Sequence, residues 1–274
     1  MIDFYVLPTW VMGLIVVVPT TAFAVAGTII VQRLVPTSVR VKHNDVAGFL
    51  SALVGVVYAV ILAFLAIAVW EAFGRAESIV EREASAAGDV ATDARPYPAE
   101  LEAAVRTGIL TYLTIVLEEE WPLQRKGQVS LRAWRAFETV HRHVLDFEPQ
   151  TAGQQIAHAE VTRKMNHVLE ERRHRIFANG SAIGTEVWVV ILIGSAIVIS
   201  FGWFFGTENA RAHVAMMGMV GLSIGLVLFL IAAMDHPFRG GVTVSPSPYQ
   251  TVQERVQRML QEQPPIEPVH KRKR

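Results

Sequence analysis

The chain has 274 residues, 51% of them hydrophobic and 18% charged, with 25 basic and 25 acidic side chains and no cysteine. A formal charge of zero argues against a nucleic-acid binder, and the lack of cysteine excludes disulfides, thiolate catalysis and cysteine metal sites. The apolar residues are gathered into long blocks, which points away from a water-soluble globule.

Four blocks reach the roughly 20 apolar residues that a helix needs to cross a hydrocarbon core about 30 Å thick. They are Trp10 to Val31, Val46 to Trp70, Val187 to Phe205 and Val214 to Met234. None carries an ionisable side chain in its middle; Glu71, Glu186 and Asp235 stand at the ends. Core helices of soluble proteins are rarely apolar on every face for so long, so the pattern predicts four transmembrane helices. The residues before the first block, MIDFYVLPT, contain no Lys or Arg, and the block outruns a signal-peptide core, so a retained span is expected. Within it, Pro19 frees a backbone carbonyl and predicts a packing kink. Thr20 and Thr21 are placed to re-satisfy the freed groups. The loop QRLVPTSVRVKHND then leads to Asn44 or Asp45 as an N-cap for the second span.

In the second span Gly48, Ala52, Gly55, Ala59, Ala63 and Ala66 recur every three or four residues and form a stripe of small side chains. Such stripes let helices approach closely in lipid. The opposite face carries Leu50, Val57, Ile61, Phe64 and Ala68. No proline interrupts WEAFGRAESIVEREASAAGDVATDAR, whose residues are mostly good helix formers. A single helix over 46–92 is predicted, leaving the bilayer as a stalk.

Residues 75–184 read as soluble and helical, without strand alternation. Pro98 suits a first helical position, and Leu101, Val105, Ile109, Leu113 and Val116 form an apolar stripe ending near Glu120-Trp121-Pro122. Ser130 is a candidate N-cap for a helix with Trp134, Phe137, Val140 and Val144 on one side. A last helix carries Ile156, Val161, Met165, Val168 and Leu169 as its apolar positions. GTENARAH makes a tight turn between the third and fourth spans. The amphipathic stretch TVQERVQRMLQEQ and a Pro-rich basic tail, PPIEPVHKRKR, follow the fourth.

Four spans put both termini and the middle domain on one side of the membrane. Near the span ends that side carries Arg75, Arg82, Arg172, Arg173, Arg175 and Arg239, against Arg33, Arg40, Lys42 and Arg211 on the other. The bias predicts cytoplasmic termini and a cytoplasmic middle domain. The expected organisation is spans one and two in 1–72, a cytosolic helical domain in 73–185, spans three and four in 186–235, and a C-terminal segment with a disordered tail in 236–274.

Nothing in the residues predicts an enzyme. There are nine histidines but no HExxH. His141 and His143 diverge on a helix, and His167 and His174 share a face without a carboxylate-rich cleft. A nucleophile elbow, a P-loop and a dinucleotide fingerprint are all missing. No catalytic residue, metal site or cofactor is expected. Glu118, Glu119 and Glu120 read as a solvated helix end. Glu170, Glu171, Arg172, Arg173 and Arg175 read as surface charge paired along the helix, or as lipid head-group contacts. The spans lack the buried ionisable residues of proton relays and ion-coupled carriers and show no inverted repeat. Apolar spans can still conduct when several copies surround an axis and an apolar constriction gates by dewetting. The face Leu50, Leu53, Val57, Ile61 and Phe64 is a candidate lining; contact with lipid or neighbouring helices is the plainer alternative.

The strings HNDVAGFLSALVGVVYAVILAFLAIAVWEAF, EEEWP, RRHR and DHPFRGG resemble the bestrophin-like family of bacterial membrane proteins over residues 40–250. That family is similar in turn to true bestrophins, which are pentameric anion channels with four spans, a cytosolic helical domain between the second and third, and both ends inside. Their second span lines the pore, with bulky apolar residues one turn apart forming a neck before a tryptophan. The resemblance therefore implies an all-α integral membrane protein of the bacterial inner membrane, a pentameric homo-oligomer passing an ion such as chloride. Matching on Trp70 implies a constriction at Leu53, Val57 and Ile61, with Phe64 beside them, and Arg40, Lys42 and His43 at an outer mouth that concentrates anions. Two departures stand out. Pro237-Phe238 is followed by Arg239-Gly240-Gly241 where animal members have an acidic run that holds calcium, so calcium gating is not implied. The neck residues are aliphatic where bestrophins are aromatic, which weakens the carry-over of anion selectivity. The competing expectation is a non-conducting scaffold or signalling adaptor, whose helical domain and basic tail recruit a partner.

Overall fold

The computed structural model describes residues 5, 7–180 and 182–262, so the predicted basic tail lies outside the described residues. Among these residues every regular element is helical. In chain order they are α1 (Thr9–Leu34), α2 (Thr37–Lys42), α3 (Asn44–Asp93), α4 (Ala99–Ile115), a π-helical turn (Val116–Glu120), α5 (Trp121–Gln124), α6 (Leu131–Leu145), α7 (Ala152–Phe177), α8 (Thr185–Trp203), α9 (Ala210–Met234) and α10 (Ser247–Gln261). They fall into two compact units, residues 1–74 with 180–243, and residues 75–179 with 244–274.

Four helices are long and apolar enough to cross a membrane, and the first unit holds α1, α8, α9 and the part of α3 up to Gly74. A close backbone approach in this unit lies away from the predicted small-residue stripe of the second span. It lies between α1 and α9, where a Cβ added at Gly221 would stand 2.7 Å from the Ala24 Cβ and 3.0 Å from the Thr21 Cα. One turn on, a Cβ at Gly225 would stand 3.1 Å from the Val17 Cα. A Gly-x3-Gly pair thus brings two backbones together, as small residues do in lipid. The Trp203 ring fills the space left by Gly27, and its Nε1 donates to the Ala24 carbonyl at 3.1 Å.

The helix α1 continues through Pro19. Thr20 and Thr21 donate their hydroxyls to the Val16 and Val17 carbonyls, at 2.7 and 2.8 Å. They do not serve the Ile15 carbonyl that proline leaves free, because a threonine hydroxyl reaches back four residues along its own helix. Asn44 does not cap α3 either. Its side chain pairs with the backbone of Gly206, donating to the carbonyl at 2.9 Å and accepting from the amide at 2.8 Å.

In the second unit the C-terminal part of α3 and the residue after it bury a run of mostly small residues at Ala76, Val80, Glu83, Ala87, Val90 and Ala94, spaced alternately four and three apart. The short side chains allow close approach: Val252 of α10 packs where a Cβ on Gly88 would stand. Ser130 caps α6, accepting from the amides of Arg132 and Ala133. The buried positions of α6 are Ala133, Phe137, Val140 and Val144, with Trp134 at the margin under the Arg172 guanidinium. Helix α4 ends at Ile115, and the helical path runs on through the π turn. The Trp121 amide bonds back five residues to the Val116 carbonyl, and the chain restarts as α5 with Pro122 in its first turn, where a missing amide costs little.

Candidate functional site

At about 100° per residue, Leu53, Val57, Ile61 and Phe64 fall within an arc of about 80° on α3. All four are exposed: Leu53 and Val57 at 56%, Ile61 at 38% and Phe64 at 68%. The side chains that α3 buries in its span, Tyr58, Leu62 and Val69, lie about 120° round the helix from that arc. They pack with Ile191, Leu228 and Ile231. The predicted small-residue stripe is largely uncovered too: Ala52, Ala59 and Ala63 are exposed, and nothing stands within 4 Å of where a Gly55 Cβ would be. The fold of one chain thus grips α3 along one narrow face and leaves both the bulky and the small face open.

That grip has a polar centre which the sequence reading missed. The Tyr58 hydroxyl donates to the Ile191 carbonyl at 2.9 Å and lies in a short contact with the Ser195 hydroxyl. Ser195 donates to the same carbonyl at 2.8 Å. Gly194 makes the approach possible, because a Cβ there would stand 2.7 Å from the tyrosine ring. The available signal was a lone tyrosine in an apolar span, whose hydroxyl needs a partner in lipid.

The three residues predicted for an outer mouth differ in their surroundings. Arg40 is buried, donating to the carbonyls of Phe205 at 2.9 Å and Val35 at 3.2 Å and to the Thr37 hydroxyl at 3.3 Å. It ties the α1–α2 loop to the α8–α9 loop through these neutral acceptors. Lys42 and His43 are exposed. The DHPFRGG string has a local task. Asp235 is buried and accepts from the Ile183 amide at 2.8 Å, the Trp188 indole at 3.3 Å and the Tyr5 hydroxyl at 3.2 Å. Gly240 follows with φ +86°, a left-handed turn that favours glycine.

The second unit corrects two expectations. Glu120 is not a solvated helix end, and Arg172 and Arg175 are not surface charges; with Glu83 they form a cluster in which none is more than 2% exposed. Arg175 donates to both Glu83 oxygens at 2.8 and 3.1 Å, to Glu120 at 2.7 Å and to Gln124 at 2.5 Å. Arg172 donates to Glu120 and to the Ser130 carbonyl, and Tyr112 donates to Glu83. Two carboxylates face two guanidiniums, so the group is neutral as a whole. Trp121 and Tyr249 place their rings beside Arg175, at 5.9 and 5.7 Å. Nearby, Glu171 pairs with Arg82 at 2.8 Å. The missed signal is phase. Arg172 and Arg175 continue the Val161, Met165, Val168 spacing of α7, and Glu83 continues that of Ala76 and Val80. Glu120 follows Val116 by four, on the same buried face.

Burial itself would lower the Arg175 value, but the charges of Glu83 and Glu120 more than offset it and hold the guanidinium well above its ordinary range. Burial also raises Glu171, and the hydrogen bonds and charge of Arg82, with His167 and His174, bring it below the usual carboxylate range. Three tyrosines of the second unit are raised: Tyr97 to about 12 by burial, and Tyr112 and Tyr249 well above 10.0 by burial with Glu83 nearby. A raised tyrosine is held neutral in the folded state. Its stabilisation is therefore whole below 10.0 and is lost as pH rises through the folded value. Alkaline titration in detergent is expected to show these phenols ionising together with a cooperative loss of helicity. Independent titration of all five tyrosines near the ordinary value, without unfolding, would contradict the buried cluster.

A family model, the bestrophin-like domain, matches residues 18–249. No curated protein matches the chain. A crystal structure of a bacterial bestrophin homologue from Klebsiella pneumoniae, carrying one substitution, is 10% identical with a TM-score of 0.68, covering 90% of this chain and 99% of its own. Another crystal structure of a bacterial bestrophin homologue from that organism is 12% identical with a TM-score of 0.66, covering 90% and 99%. A crystal structure described as a membrane protein is 12% identical with a TM-score of 0.67, covering 89% and 98%. These likenesses show the fold, and the family model takes in α1 from residue 18 onward, the whole of α3, α8 and α9, and most of the second unit. The chain belongs to the bestrophin-like family.

Proposed function

We propose that this chain is one subunit of a homo-oligomeric, pentameric ion channel in the bacterial inner membrane, with α3 of each copy lining the path. The supporting observation is the open bulky face of α3: Leu53, Val57, Ile61 and Phe64 are uncovered by the chain that carries them. The small-residue face, also open, suits contact with a neighbouring copy. Membership of the bestrophin-like family agrees with this reading. In it, the aliphatic side chains form a constriction that opens by wetting. Arg40, with Lys42 and His43, lends positive potential to the outer mouth, which favours anions such as chloride over cations. The second unit and both termini face the cytoplasm.

Purified protein in planar bilayers is expected to give discrete currents, with a reversal potential that follows the chloride gradient. Ile61→Ala should raise unitary conductance or open probability several-fold by lowering the apolar barrier. An intact particle that stays silent across voltage, salt and pH would overturn the proposal in favour of a scaffold or adaptor.

A further inference from the structure

We infer that Tyr58 is a positioning residue: its hydroxyl contact with Ile191 and Ser195 sets the rotation of α3, and hence which side chains meet the conduction path. The inference rests on the proposal that α3 lines that path. Leu62 and Val69, the other side chains that α3 buries in its span, are aliphatic. Aliphatic contacts resist rotation through shape alone, without a preferred bond direction. A hydroxyl bonded to a backbone carbonyl is directional. The ring lies against Gly194, where no side chain could stand, and ends at 2.9 Å from the Ile191 carbonyl. Ser195 completes the group from the same helix, its hydroxyl against that of Tyr58 and 2.8 Å from the same carbonyl.

Position along the helix gives the contact its leverage. Tyr58 shares a turn with Val57 and Ile61, and points about 100° round from Val57. A rotation of α3 that breaks the hydroxyl contact must therefore turn Val57 and Ile61 by the same angle at the same depth. The contact and the constriction are two sides of one rigid turn.

The natural lack of cysteine makes the test direct. Single cysteines are placed at Val57, Ile61 and Ala59, the last on the opposite side of the helix. Each is made in the otherwise native chain, in Tyr58→Phe and in Ser195→Ala. The assembled protein in liposomes is reacted with a charged, water-soluble methanethiosulfonate. In the native background Val57→Cys and Ile61→Cys should react faster than Ala59→Cys. Tyr58→Phe and Ser195→Ala should each reduce that contrast about threefold or more, the typical weight of one hydrogen bond between membrane helices. A contrast present in the native chain and unchanged in both variants overturns the role of Tyr58 while leaving the lining proposal intact. No contrast in the native chain overturns the lining proposal, and the role of Tyr58 with it. Should Tyr58→Phe fail to assemble, Ser195→Ala alone decides.

Discussion

Replacing Arg175 with methionine is expected to remove about 3–5 kcal/mol from the folded protein, the cost of breaking a buried ion pair from one side. Arg175 is fully buried and bonds Glu83, Glu120 and Gln124 at once. Its loss leaves two buried carboxylates with Arg172 as their remaining guanidinium. Neither carboxylate reaches water, so one negative charge is left buried without compensation, which favours opening of the unit. Unfolding followed by helicity in mild detergent should show an early, separate loss attributable to the second unit. Arg173→Met, two residues away and exposed, should stay within about 0.5 kcal/mol of the native protein. Replacing both Glu83 and Arg175 by leucine should recover much of the loss, because the pair's own contribution is small beside the penalty for an unpaired charge. Full stability of Arg175→Met would contradict the cluster.

The second large effect is expected at Gly221. A leucine there must place its Cβ 2.7 Å from the Ala24 Cβ and 3.0–3.1 Å from backbone atoms of Thr21 and Thr20. Backbone cannot step aside as a side-chain tip can, so α1 and α9 must part. Overpacking of this kind costs about 3 kcal/mol or more at its upper end. The neighbouring Gly218 is the control, since a Cβ there would meet only the Val25 methyl at 3.5 Å, an ordinary contact. Gly218→Ala should therefore be neutral or slightly stabilising, as alanine favours helix over glycine by about 1 kcal/mol. Thermal unfolding of both variants in the same detergent separates a specific close approach from a general intolerance of change in α9. Equal effects at the two sites would contradict the Gly-x3-Gly contact.

These two predictions fall where the sequence was least legible. The small-residue stripe of the second span was visible, but its partner was not. Within one chain the close contact uses α9, while Ala52, Ala59 and Ala63 of α3 remain open. Arg172 and Arg175 were read as solvated because charge normally seeks water. Their phase with Val161, Met165 and Val168 outweighed that preference once Glu83 and Glu120 supplied acceptors from other helices. The bulky face of α3 was legible as a face, from periodicity alone.

By itself the sequence determined the four apolar helices, the all-helical class and an unbroken second helix, predicted over 46–92 and found as Asn44–Asp93. These are one-dimensional properties: a bilayer demands a set length of apolar helix, and a helix satisfies its own backbone. The tertiary structure alone decided which face of α3 is held, through Tyr58 and Ser195, and that four charges meet without water. Such outcomes depend on residues 52 to 137 positions apart in the chain meeting in space. No local pattern records whether a partner will be there.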